Sequence, residues 1–135
     1  MKTPFIFGDG TPLQESAVFC AEMPSGFHSK LQLFSELQTL LRFPEYFGSN
    51  WDALEECIRD LAWLPLPGLV VLIHRDLPLE SDLANLKIYL SILTGAVEKK
   101  QVVAGEGALG LAVVFPLDAR QRVEQVLRDA DGVSA

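Results

Sequence analysis

The chain has 135 residues, a length typical of one domain with a single hydrophobic core. Its hydrophobic content of 49% is that of a folded globular protein and argues against a disordered one. The formal net charge of -7 argues against a nucleic-acid-binding protein, because such proteins need basic surface to neutralise phosphates.

The first predicted element is a short strand at residues 5–7, followed by a glycine-rich turn at 8–10. This apolar run is too short for a signal peptide, and no later run is long enough to span a membrane. The two cysteines, Cys20 and Cys57, lack the CxxC spacing of redox or metal motifs. They could form one disulfide, but in an unsecreted chain we expect two free, buried thiols, and we interpret the protein as cytoplasmic.

The next predicted elements are a strand at 17–20 and a helix at 30–41 with Ser29 as its N-cap. Pro44 ends this helix, because the residue before a proline is disfavoured in the helical region. The predicted core positions of the helix recur at helical spacing: Leu31, Phe34, Leu37, Leu40 and Leu41.

Asn50 is the predicted N-cap of a second helix, at 51–62. The remaining predicted elements are a strand at 69–73 buried on both faces, a helix at 81–99, a loop at 105–110, a strand at 111–115 and a helix at 119–130. The predicted core positions of the 81–99 helix are Leu83, Leu86, Ile88, Tyr89, Ile92 and Leu93. Alternating strands and helices indicate an α/β fold with a small, mostly parallel sheet.

Sequence motifs for cofactors and metals are not supported by their context. The string GEGALG at 105–110 matches the dinucleotide pattern GxGxxG, but here a helix precedes the glycines and a strand follows them, which reverses the required order. His28 and His74 have no neighbouring cysteine or second histidine at ligand spacing. We expect His74 to cap its strand or pack at the surface, and we expect neither a metal nor a cofactor.

An enzyme is disfavoured for a similar reason. Asp52 and Glu56 are spaced as a candidate acid/base pair, but nothing in the sequence separates their pKa values as such catalysis requires. The chain also lacks a GxSxG elbow that would mark an activated nucleophile.

The helix at 51–62 has two contrasting faces. Its apolar face consists of Trp51, Ala53, Leu54, Cys57, Ile58 and Leu61. Asp52, Glu56 and Asp60 recur every fourth residue and form an acidic stripe on the opposite face, with Glu55 and Arg59 spaced for a weak ion pair at its edge. Such a stripe indicates either a solvated helix face or a surface that attracts a basic partner.

The turn before this helix gathers Tyr46, Phe47, Gly48 and Asn50. Aromatic side chains beside carboxylates are typical of an interface hot spot, although both rings could instead fix the turn to the core. Gly48 permits either a positive φ or a close backbone approach by a partner.

The run PEYFGSNWDAL at 44–54, with Cys57 after it, resembles the barstar family of inhibitors of extracellular bacterial ribonucleases. We expect a single domain over 1–135, with the resemblance covering about 17–115 and a C-terminal extension at 116–135. The resemblance implies a three-stranded parallel sheet packed by helices in two to three layers, to which this chain adds an N-terminal strand and a C-terminal helix.

The resemblance also implies a non-enzymatic mechanism. The acidic helix and the preceding loop would plug the active site of a basic ribonuclease or toxin, with carboxylates in place of RNA phosphates. Tyr46, Asn50 and Asp52 match the binding surface of the family, so the resemblance implies that this chain is an inhibitor or an immunity protein.

Three positions depart from the family pattern. Glu56 stands where the prototype has its key aspartate, Phe47 replaces a tyrosine, and Arg59 replaces a small polar residue. These departures imply either a different ribonuclease or a member that no longer inhibits one. The alternative function is a non-inhibitory interaction or regulatory module that reuses the fold, for example through the helix at 119–130.

Overall fold

The computed structural model describes residues 4–10, 19–44, 48–61, 63, 68–102 and 109–130. The elements follow in the order β1 (Ile6–Phe7), β2 (Phe19–Met23), α1 (Lys30–Leu40), α2 (Trp51–Asp60), β3 (Gly68–His74), α3 (Leu83–Val102), β4 (Leu109–Phe115), a 3-10 turn (Leu117–Ala119) and α4 (Arg120–Ala130). The predicted α/β fold is confirmed.

The described strands form a four-stranded sheet in the order β1-β4-β3-β2. Every neighbouring pair is parallel, with Ile6 opposite Val114 and Phe19 opposite Val70. Parallel neighbours require crossover connections, which the intervening helices provide. β1 is the additional N-terminal strand that the sequence predicted, and it extends a three-stranded sheet to four.

The two faces of the sheet are covered differently. Alternate residues of β3 and β4, such as Leu72 and Val113, join the buried side chains of all four helices in one large core cluster. The opposite face carries a small cluster of Val71, Ile73 and Val114. These valine- and isoleucine-rich strands are therefore buried on both faces, as the uninterrupted apolar run at 69–73 predicted.

The second strand differs from its prediction. β2 spans Phe19–Met23 instead of 17–20, and residues 17 and 18 lie outside the described ranges. Its register against β3 carries the strand on to Met23, opposite His74. Glu22 points outward from this edge strand and interrupts the apolar run, so the sequence pattern did not predict the end of the strand. Cys20 also lies on the exposed side, so the expectation that both thiols are buried is wrong for Cys20.

Ser29 caps α1 as predicted, and its hydroxyl oxygen accepts a hydrogen bond from the Gln32 amide at 3.3 Å. Three of the predicted core positions of α1 are buried: Phe34, Leu37 and Leu41. Leu33, which was not predicted, is also fully buried, whereas the predicted Leu31 is 63% exposed in the first turn.

α3 begins at Leu83, two residues later than predicted, because Asp82 caps it with its carbonyl and its carboxylate. Leu83 and Ile88 were predicted to be buried but are exposed. Leu90 and Val97, which were not predicted as core positions, are buried on this helix. Among the described residues, no helix combines the length and apolar character needed to cross a membrane.

Candidate protein-binding site

The acidic helix α2 is fixed at both ends by its own residues. Asn50 has an extended backbone, and its side-chain oxygen accepts a hydrogen bond from the Ala53 amide at 2.8 Å. At the other end, Leu61 adopts the left-handed conformation and donates its amide to the Cys57 carbonyl. The predicted cap at Asn50 is confirmed, and the helix has a defined direction and length.

The turn before α2 is built around the side chain of Asn50. Its amide nitrogen donates to the Gly48 carbonyl oxygen at 3.3 Å. A Cβ on Gly48 would lie 3.1 Å from that nitrogen, so glycine makes room for the cap. The positive φ that was suggested for Gly48 occurs at Ser49 instead, where φ is 52°. The absence of a side chain at Gly48 therefore allows the Asn50 side-chain amide to lie close to the backbone of the same turn.

Trp51 anchors the first turn of α2 to the rest of the fold. Its indole nitrogen donates to the side-chain oxygen of Asn85 on α3 at 3.2 Å. Its ring meets Phe34 edge-on at a centroid distance of 4.8 Å and lies 6.4 Å from the ring of Tyr89. Aromatic packing and a hydrogen bond therefore fix the first turn of the helix, and the adjacent Asp52 projects from this fixed turn.

The outer face of α2 carries the acidic stripe as predicted. Asp52, Glu56 and Asp60 are all exposed, whereas Leu54 and Ile58 on the inner face are fully buried. Residues four apart on a helix have Cβ atoms about 5–6 Å apart, so the three carboxylates form a line along the helix. This line gives the molecule a one-sided negative surface on a well-packed support.

Arg59 lies at the edge of the stripe and is turned toward α3. Its guanidinium pairs with Glu55 at 3.4 Å, as the sequence predicted, and this contact contributes about 0.2–0.5 kcal/mol. A Cβ on Gly95 of α3 would lie only 2.7 Å from the Arg59 Nη2 atom. Gly95 thus provides the space in which the guanidinium sits, and α2 and α3 are in direct contact there.

The predicted aromatic contacts of Tyr46 and Phe47 lie outside the described residues. The structure does bring together Gly48, Asn50, Asp52, Glu56 and Arg59 on one segment and its outer face.

His74 is buried, contrary to the expected surface or capping role. Its Nδ1 lies 3.0 Å from the Val114 carbonyl oxygen and its Nε2 lies 2.7 Å from the Tyr89 hydroxyl. The imidazole also stacks on Phe115 at 4.2 Å. Burial lowers the pKa of His74 to about 4, although the Val114 hydrogen bond opposes that shift. The histidine is therefore neutral at pH 7, donating from Nδ1 and accepting from the tyrosine at Nε2.

A cavity of about 430 Å³ lies at the carboxyl edge of the sheet, where many α/β proteins bind ligands. Asp9, Glu22, His74 and Arg75 contribute to its lining. Arg75 is paired with Glu22, and both ring nitrogens of His74 are engaged in hydrogen bonds. The His74 ring is therefore not poised as a general base for a bound substrate.

Metal or thiol chemistry also lacks a supporting arrangement. Within the described ranges, no group of three or more histidine, cysteine, aspartate or glutamate side chains is placed to hold a metal ion. Burial raises the pKa of the Cys57 thiol, and the nearby carboxylates of Glu56 and Asp60 raise it further. Cys57 is thus held as a neutral thiol on the inner face of α2, which is the opposite of an activated nucleophile.

Three residues that support the site were not singled out for that role from the sequence. Asn85 holds Trp51, Tyr89 links Trp51 to His74, and Gly95 accommodates Arg59. Gly95 carried a usable signal, because a glycine inside a helix often has a packing reason. Asn85 and Tyr89 carried none, since their partners lie far away in the chain.

Comparison with known proteins agrees with this architecture. Residues 20–116 match the family model described as "Barstar (barnase inhibitor)", a range that runs from the second residue of β2 through β4 and includes the whole of α2. No curated protein matches the chain in a sequence search. β1 and α4 lie outside the matched range. The matched part is well over half of the sequence, and the chain belongs to the barstar family.

Proposed function

We propose that this protein is an inhibitor or immunity protein that inserts the outer face of α2 into the active site of a basic ribonuclease or toxin. The observation that carries this proposal is the exposed line of Asp52, Glu56 and Asp60 on a helix capped and anchored at its start. The family match supports a ribonuclease-like partner, because its description names an inhibitor of barnase.

The mechanism is electrostatic competition with the substrate. A ribonuclease active site must be cationic to bind RNA, and carboxylates on a rigid helix can occupy its phosphate-binding groups. Asp52 and Glu56 are four residues apart, a rise of about 6 Å along the helix axis, so they can engage neighbouring cationic groups at once. Because α2 is already ordered, binding costs little additional conformational entropy.

The residues before α2 complete the proposed surface. Gly48 and Asn50 are exposed in the turn, although the Asn50 side chain is already used as the cap. We assign Tyr46 and Phe47 to aromatic contacts with the partner, as the resemblance implies. Arg59 lies at the edge of this surface.

The direct test measures RNA cleavage by purified barnase, a probe named in the family description, in the presence of this protein. We expect inhibition, and we expect Asp52→Ala and Glu56→Ala each to weaken it about tenfold or more, as truncation of central charged residues does. Asp129→Ala is the matched control, because it removes the same charge from an exposed position on α4. That variant should inhibit as well as the wild type.

A complementary test addresses partners other than barnase. The wild-type protein and the Asp52→Ala/Glu56→Ala double variant are used to capture proteins from cells of the source organism. A basic nuclease captured by the wild type and lost by the double variant would support the proposal. Retention of every partner by the double variant would contradict the plug mechanism.

The alternative function, an interaction module acting through α4, makes the opposite prediction. Leu117, at the start of the 3-10 turn before α4, is 66% exposed and provides an apolar contact point there. If this surface carries the function, Leu117→Ser should abolish partner binding, whereas substitutions on α2 should not.

We also propose that the protein acts in the cytoplasm. Cys20 and Cys57 are both free, which fits a reducing compartment. Fractionation of source cells followed by detection of the protein would test this location.

A further inference from the structure

Arg59 is held in a defined position, although it stands on an otherwise acidic face. Its guanidinium occupies the space left by Gly95, and the Glu55 carboxylate pairs with it. The side chain remains 39% exposed, so its charge still reaches the surface. An arginine anchored in this way presents a positive charge at a fixed place.

This charge lies close to the carboxylates that the proposed function uses. Arg59 follows Glu56 by three residues and is therefore its neighbour on the helix surface. A cationic active site that accepts Glu56 must also approach the guanidinium. Like charges brought together across an interface are a common means of excluding unwanted partners.

We propose that Arg59, seated on Gly95, is a specificity-determining residue that selects a ribonuclease with a carboxylate on the rim of its cationic cleft. This inference rests on the proposed function and adds to it the chemistry of the target. A ribonuclease without that carboxylate meets the guanidinium as a repulsive charge and binds less tightly. The Glu55 side chain screens the charge only partly, because both groups of the pair are partly exposed.

The test uses barnase, the ribonuclease named in the family description, and compares Arg59→Gln with Arg59→Lys. The glutamine removes the charge and keeps much of the length, whereas the lysine keeps the charge. We expect Arg59→Gln to raise the association rate constant with barnase about 3- to 10-fold at low ionic strength, and the gain to shrink as salt is added. Arg59→Lys should behave like the wild type.

A second comparison shows whether Gly95 acts through Arg59. Gly95→Ala keeps the positive charge but pushes the guanidinium from its seat, since the new Cβ would lie 2.7 Å from Nη2. We expect Gly95→Ala to change the barnase association rate in the wild-type background and to have no effect in the Arg59→Gln background. A change in the association rate that disappears when Arg59 is replaced would not arise from a purely structural role of Gly95.

The outcomes separate this inference from the proposed function. If Asp52→Ala weakens barnase inhibition but Arg59→Gln does not strengthen it, the plug mechanism stands and the role of Arg59 is refuted. If Arg59→Gln strengthens binding but Asp52→Ala and Glu56→Ala change nothing, the proposed function fails. If neither the wild type nor Arg59→Gln binds barnase, the expected inhibition and the expected gain in association rate are both missing, and the inference is refuted together with the proposed function.

Discussion

Asn50 shows how one side chain can shape the whole candidate site. Its side-chain oxygen caps α2 while its nitrogen donates back to the Gly48 carbonyl, so both halves of the amide are used. Asn50 sets where α2 begins and Trp51 anchors that first turn, so the position of Asp52 depends on both residues. The cap was predictable from sequence because it is local, involving contacts only two and three residues away.

Replacement of Asn50 by alanine should therefore destabilise the protein. We expect Asn50→Ala to lower the free energy of unfolding by about 1 kcal/mol, because the Ala53 amide loses its acceptor. Asn50→Ser, which restores an acceptor at the cap, should recover most of that loss. Urea denaturation of the three proteins measures the effect. Equal stability of Asn50→Ala and wild type would show that the cap contributes nothing.

His74 is the second residue with a consequence for the whole protein, and its environment could not be predicted from sequence. Its partners, Val114 and Tyr89, lie on β4 and α3 and are brought to it only by the folded sheet. In the sequence His74 stands beside Arg75 and Asp76, which suggested a strand end at the surface. The parallel register of β3 with β4 places it in the interior instead.

The buried imidazole predicts a pH dependence of stability. Its pKa is about 4 in the folded protein and 6.5 as a free side chain, so the unfolded chain binds the extra proton between these values. This contribution is fully present above pH 6.5 and is lost as the pH falls toward 4. Over this pH range, the neutral imidazole contributes about 3 kcal/mol to the free energy of unfolding.

Urea unfolding at pH 7.5, 6.0 and 4.5 tests this prediction. His74→Gln, which can still donate and accept hydrogen bonds, should show a weaker decrease of stability over that range than the wild type. The same slope in both proteins would show that other groups cause the dependence.

At the scale of elements, the contact between α2 and α3 determines how the candidate site is supported. Trp51 and Arg59 meet Asn85 and Gly95, so the two helices run side by side in the same direction. Glycine is a poor helix former, and its presence within α3 has a clear reason in the space that it leaves for Arg59. Gly95 therefore lowers the intrinsic stability of α3 but leaves space for the guanidinium of Arg59.

A double-mutant cycle tests this explanation. In the Arg59→Ala background, Gly95→Ala should stabilise the protein by about 0.5–1 kcal/mol, because alanine is the better helix former and nothing occupies the seat. In the wild-type background the gain should be smaller, since the guanidinium must move. Denaturant midpoints of the four proteins give the coupling energy. Additive effects would show that Gly95 and Arg59 are energetically independent.

The elements themselves were predicted well where periodicity and caps agree. Ser29 and Asn50 begin their helices as expected, and the apolar runs became β3 and β4. Exposed apolar residues were harder to predict. Leu31 and Leu83 fit the helical pattern of the core, but each lies in the first turn of its helix, where the position of neighbouring elements decides burial. The acidic face of α2 was predictable because it depends on spacing alone.

At the scale of the whole molecule, the net charge of -7 reinforces the local stripe on α2. A negative molecule attracts a cationic ribonuclease before contact is made, which mainly raises the association rate. The Debye length of about 8 Å at physiological ionic strength limits this attraction to short range.

The association rate with barnase should therefore depend strongly on salt. Between 50 mM and 500 mM salt we expect the rate constant to fall about tenfold, with a smaller change in the dissociation rate. The Asp52→Ala/Glu56→Ala variant should show a flatter dependence because part of the attracting charge is gone. Stopped-flow fluorescence can follow both rates. A salt-independent rate would mean that long-range attraction does not guide binding.

The strand order has a consequence for how the protein is made. β4 is the last of the described strands in chain order, yet it lies between β1 and β3, so Ile6 can pair with Val114 only after β4 has been made. On the ribosome, the sheet therefore cannot be completed until the final strand has emerged and entered its centre. A chain that stops before β4 leaves β1 and β3 without their shared neighbour. We infer that a chain terminated before β4 does not form this sheet, so truncation there should abolish any activity that depends on the folded protein.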